Sequence, residues 1–263
     1  MKSKNSEELF EQAIEFAVEA STISANKFNA TPNDIRRDAF FTISQDAVIT
    51  HRAIGTLARS GWVGSTPVLL RTLLDLQISA AAILHSADSR LAAFKYFYSG
   101  YRLLDRSDKH FDAEFRRSAR KLIRERIGQL PEADRPAALQ FLKEKDRSYW
   151  FSDEWSNPSQ VLSQFAPDLL VPYKRLSSAA HGGFFGMRLF REDPDQRSIN
   201  AELPAGLRSV KARLTSSRFL VDLIAIRSGA EDLELDGRAQ FLREQISLAF
   251  AEAGNKRYGA GTA

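Results

Sequence analysis

The chain has no cysteine among its 263 residues, and histidine, tryptophan and methionine are scarce at four, three and two. Without thiols it can form no disulfide, no thiolate metal site and no cysteine nucleophile, so any chemistry rests on other groups. Glycine- or proline-rich linkers, low-complexity tracts and internal repeats are missing too, which leaves one continuous domain as the expectation. No GxxxxGK[ST] loop, GxGxxG after a strand, HExxH or GxSxG occurs, which argues against P-loop NTPases, Rossmann enzymes, zincins and ordinary α/β hydrolases, and D-x-D-x-D is missing too. Acidic neighbours such as Asp153-Glu154 and Asp193 with Asp195 have no histidine or further carboxylate at ligand spacing. No metal and no cofactor is implied.

Long apolar runs are equally few. The most apolar stretch, Pro67 to Leu84, is interrupted by Arg71, Asp75 and Gln77, which suits a buried helix better than a membrane span. The first residues, MKSKNSEELFEQAIEF, carry acids where a secretory signal needs an apolar core. A cytoplasmic protein without a membrane segment is therefore expected. Its composition, 43% hydrophobic and 27% charged, is that of a folded globular chain, and a net charge of +4 tilts only mildly toward phosphate-rich partners.

What is present is helical punctuation. Ser6 can cap a helix that turns Leu9, Phe10, Ala13, Ile14, Ala17 and Val18 inward; Thr31-Pro32 opens a second with Ile35, Phe40, Ile43 and Ala47, stopping at Gly61. Thr66-Pro67 opens a third, and Asp88 a fourth that is rich in aromatics (Phe94, Tyr96, Phe97, Tyr98, Tyr101). Residues 112–129 carry Arg116, Arg117, Arg120, Lys121, Arg124 and Arg126 over a thin stripe of Phe115, Leu122 and Ile127, the pattern of an exposed helix. A short helix near 132–145, a structured loop at RSYWFSDEWSNP, helices near 159–165 and 168–181 ended by Gly182-Gly183, a loop over 191–204 and helices near 205–227 and 235–253 complete the chain. The expected fold is all-α, a bundle of roughly ten helices forming one domain over 1–254, with any subdivision near 105–158 and a flexible tail over 255–263.

The segment YKRLSSAAHGG, residues 173–183, concentrates chemistry at a helix end. Lys174, Ser178 and His181 share a face at about 100° per residue, with Arg175 beside them. A histidine in a last turn is favoured in its charged form by the helix C-terminus, which suits contact with phosphate. The same histidine can instead cap carbonyls, and the small residues at 177–180 can serve close helix packing. Arg71 and Asp75, one turn apart in an apolar helix, are either a buried ion pair or the groups that orient a pocket. His51-Arg52 precedes Ile54 and Leu57 on the adjacent helix and can line the same cavity or lie at the surface.

Arg175, five intervening residues and His181 resemble the R-x4–6-H signature of HEPN-type domains, a family with many ribonucleases. HRAIGTLARSGW, RTLLDLQISAAAIL and YKRLSSAAHG together also resemble a family of uncharacterised helical bacterial proteins with an Arg-x3-acid helix and a Ser-x2-His helix, although Asp75 stands where that pattern has Glu. The ribonuclease resemblance implies metal-independent RNA cleavage of the kind a toxin or defence effector performs, with His181 handling the proton and Arg175 stabilising the phosphorane. In that scheme Ser178 or Lys174 holds a non-bridging oxygen, Arg71 and Asp75 position these groups, and Tyr173, His51 and Arg52 complete the substrate contacts. It also implies a two-fold homodimer. The competing expectation is a non-catalytic sensor or interaction module that binds a small anionic ligand or a protein partner.

Overall fold

The computed structural model describes residues 5–29, 34–104, 113–143, 150–151, 154–180 and 205–258. Among them are ten α-helices and two 3-10 turns, and no strand. Ser6–Phe28 (α1) starts one residue earlier than expected: Asn5 is the cap, its Oδ1 accepting from the Glu8 amide at 2.8 Å. Ile35–Arg59 (α2) is capped by Asp34, which accepts from the Arg36 amide at 2.9 Å. Thr31-Pro32 lies outside the described residues.

Gly61, at φ +78°, supplies the left-handed turn that ends this arm, and a 3-10 turn over Val63–Ser65 leads into Thr66–His85 (α3). Thr66 is therefore the first helical residue rather than the cap, and its Oγ1 donates back to the Val63 carbonyl at 2.7 Å. Asp88 caps Ser89–Leu104 (α4) by accepting from the Arg90 and Leu91 amides. Ala113–Gln129 (α5) and Arg135–Lys143 (α6) follow. Asn157 caps Pro158–Phe165 (α7), and a turn over Pro167–Leu169 opens Leu170–Ala180 (α8). Ala205–Glu231 (α9) and Asp236–Tyr258 (α10) close the chain, so the last helix runs into the expected tail; 259–263 are not described.

Helix α9 is the axis of the bundle: it packs against α1, α2, α3 and α10. Helix α3 also carries α7 and α8 on a flank, while α4 packs on α2 and carries α6 in turn. The α3 segment is long and apolar enough to cross a membrane by length and composition, and 56% of its most apolar window is buried within the fold.

Two expected core positions are corrected. Val18 is 54% exposed, because the buried stripe of α1 runs Leu9, Ala13, Phe16, Ala20 and Ser24. Leu122 is exposed as well; Ile123 and Ile127, four apart, form the inner edge of α5. The side chains of Phe115, Arg116 and Tyr101 lie outside the described set.

In the loop before α7, the described residues 150–151 and 154–157 pack against the bundle, as the aromatics require. Trp150, Phe151 and Trp155 are buried, Tyr96 meets Trp150 edge-on at 5.8 Å between centroids, and Trp155 Nε1 donates to Gln164 at 3.0 Å. Glu154 clamps this loop to the end of α3, accepting from the Ser86 hydroxyl and from the Ala87 amide.

Candidate functional site

Helices α3 and α8 meet through three of the residues singled out in the sequence. Tyr173 is buried on the face of α8 turned to α3, and the Arg71 guanidinium carbon lies 3.9 Å from its ring centroid. From there Arg71 Nη2 donates to the phenol oxygen at 2.6 Å, and Nη1 pairs with Asp75 one turn on. The arginine side chain is 14% exposed and the aspartate 49%, so the pair spans the edge of the core instead of lying within it. Aspartate reaches the arginine despite the methylene it lacks relative to glutamate. A planar cation that stacks on a ring and donates to the hydroxyl of that ring fixes α8 against α3 in both rotation and register.

One position beyond Tyr173 the character changes. Lys174 and Arg175 are exposed, with no hydrogen bond or ion pair among the described residues, and Ser178 is half-buried one turn later. His181, together with Gly182-Gly183, lies outside the described residues, as do Asp153, Asp193, Asp195 and the whole 191–204 loop. The arrangement is thus a fixed Arg71–Asp75–Tyr173 seam carrying two open cations toward the end of α8.

His51 and Arg52 do not join it. His51 is fully buried: its ring stacks on Phe10 with 3.8 Å between centroids, and Nε2 donates to the Phe10 carbonyl at 3.1 Å. Burial pushes its pKa down to about 4, an effect only partly offset by hydrogen bonding toward the Phe10 and Ser216 backbone, so the ring is neutral near pH 7. Its place is in the core between α1 and α9, where no substrate reaches. Arg52 points the other way, to solvent.

Two charged clusters on α9 escaped the sequence reading. Arg227 and Glu231, 1% and 2% exposed, form a buried pair at 3.2 Å, and Arg227 also donates to the Ser21 hydroxyl at 3.1 Å. Asp222 accepts from Arg218 Nε at 2.7 Å and from Arg243 Nε at 2.6 Å. Both pairs within α9 have the same i, i+4 spacing as Arg71 and Asp75, which is the signal that could have found them.

An all-α bundle whose central helices bury charge in this way is the class of protein the fold defines. Residues 39–198 match the model of a family of unknown function, DUF5677, and the chain belongs to that family. The three segments that carry Arg71, Asp75, His51 and the α8 cations all fall inside the matched stretch. No curated protein and no solved structure matches the chain.

Proposed function

We propose that the end of α8 engages RNA phosphates and cleaves the strand without a metal, by attack of a 2′-hydroxyl on its neighbouring phosphate. The supporting observation is Arg175: an exposed cation without a protein partner among the described residues, on a helix whose rotation is fixed by the Tyr173–Arg71–Asp75 seam. A guanidinium held ready at one place stabilises charge that develops on a phosphorane, since it needs no reorganisation when the charge appears. In this reading His181 accepts the 2′-hydroxyl proton and protonates the departing 5′-oxygen, leaving a 2′,3′-cyclic phosphate and a 5′-hydroxyl. Lys174 and Ser178 hold the non-bridging oxygens. Arg71 and Asp75 act through Tyr173 as positioning residues, and a two-fold homodimer would set two α8 ends side by side.

The test is incubation of mixed RNA with the protein in EDTA, comparing wild type with His181→Ala and Arg175→Ala. Products with cyclic phosphate ends that disappear in both variants support the proposal; equal cleavage by wild type and His181→Ala overturns it.

A second reading is favoured by the prior engagement of Arg71. With that guanidinium committed to Tyr173 and Asp75, the open charge at α8 is confined to two adjacent side chains, which suits retention of an anionic ligand or partner without turnover. RNA that is retained by the protein but stays intact in the same experiment selects it.

A further inference from the structure

A cavity of about 250 Å³ lies between α3, α7, α9 and α10 and shares no residue with the α8 site. Its walls are largely apolar, with Ile78, Ala81, Val161, Leu162 and Ile226 around it and Phe165 stacked flat on His85 at 3.9 Å between centroids. Binding cavities have this composition: apolar walls with a few convergent polar groups.

The polar groups are specific. Gln77 lines the cavity at 5% exposure, and its buried Oε1 has no hydrogen-bond partner among the described residues, although buried acceptors are as a rule satisfied. On the α9 and α10 side stand Arg218 and Arg243, each spending its Nε on Asp222, so that their Nη groups have no protein acceptor among the described residues. Two guanidiniums share one buried carboxylate, so this cluster by itself carries one more positive charge than negative. The exposed Asp168 also lines the cavity, brings its two arginines and two aspartates to a net charge of zero, and disfavours a second negative charge on an occupant.

We propose that this cavity binds a compact organic monoanion: a carboxylate, met by the Nη groups of Arg218 and Arg243, on an apolar body that carries an O–H or N–H donor for Gln77 Oε1. The forked donors match a carboxylate, the apolar walls match the body, and the orphaned amide oxygen accounts for the donor.

The experiment is calorimetric titration of the full chain with the three positional hydroxybenzoates, with benzoate, which lacks the donor, and with 4-hydroxybenzamide, which lacks the charge. At least one hydroxybenzoate is expected to bind in the millimolar range or tighter, with benzoate and the amide each weaker by about five-fold, roughly the worth of one hydrogen bond. Gln77→Leu is expected to erase the preference for hydroxybenzoate over benzoate, and Ala81→Leu, which fills the cavity, to abolish binding. Absence of binding by all three hydroxybenzoates, or benzoate binding as tightly as the best of them, overturns the proposal. The ligand comparison on wild-type protein decides even where a variant fails to fold.

Discussion

The guanidinium of Arg71 stacks on the ring of Tyr173 and donates to the hydroxyl of that same ring, so one arginine holds one tyrosine by face and by edge. Tyr173→Phe keeps the stack and loses the 2.6 Å bond, and it is expected to cost about 1 kcal/mol in denaturant unfolding. Tyr173→Ala loses the packing as well and is expected to cost about 3–5 kcal/mol. If Phe is as costly as Ala, the ring contributes little and the hydroxyl dominates the seam.

Arg175→Ala lies on the open side of the same helix. Its unfolding midpoint is expected to match wild type, because the side chain is exposed and has no protein partner among the described residues. Under the ribonuclease proposal, RNA cleavage in EDTA is expected to fall by about 10²–10³-fold, the usual effect of removing one donor to a developing oxyanion.

His51 makes stability depend on pH in a defined direction. In the unfolded chain its pKa is near 6.5, whereas burial holds it at about 4 in the fold, so the unfolded state takes up the proton first as pH falls. The contribution is full above about pH 6.5, declines through the interval down to about pH 4 and is flat below it, for a total of about 3 kcal/mol. Unfolding measured at several pH values across this window is expected to show that slope, and His51→Gln to remove it.

The buried Arg227–Glu231 pair is expected to behave asymmetrically. Arg227→Met leaves the Glu231 carboxylate without its cation in the core and is expected to cost about 3–5 kcal/mol. Arg227→Met combined with Glu231→Leu is expected to recover most of that loss, since no charge is then stranded; chemical denaturation of the two variants checks it.

Gly55 on α2 faces the ring of Phe10 on α1. A Cβ at this position would come within 2.8 Å of Phe10 Cε1, and Phe10 is itself buried against His51. Gly55→Ala is expected to destabilise by about 1–3 kcal/mol despite its gain in helix propensity, a balance that thermal unfolding reads directly.

Several helices were legible because capping residues and prolines mark their starts: Pro67, Asp88 and Asn157 each sit within a residue of one, whereas the second helix was read from Thr31-Pro32 and its cap is Asp34. Inward faces were harder. Val18 and Leu122 sit at helical spacing from true core residues, and only the packing of neighbouring helices decides which edge of an apolar stripe is covered. Arg71 and Asp75 stood out as charges in an apolar run. Arg227 and Glu231 did not, because α9 is buried on several sides and also buries Ser216, Ser217, Asp222 and Ser228, which blurs any two-faced pattern. The role of His51 depends on Phe10, forty-one positions earlier, a distance that local spacing does not bridge.

Helix α9 also has a bearing on biosynthesis. The family match ends at residue 198, yet the helix that fills the groove between α1, α2 and α3 begins at Ala205, and Lys27 finds its carbonyl acceptors 204 and 205 residues downstream, at Glu231 and Asp232. On the ribosome the first three helices emerge with that groove unfilled and their apolar surface open to other chains, and the core closes only after α9 has been made. A stop codon placed before Ala205 is thus expected to yield aggregate or a chaperone client rather than a smaller domain.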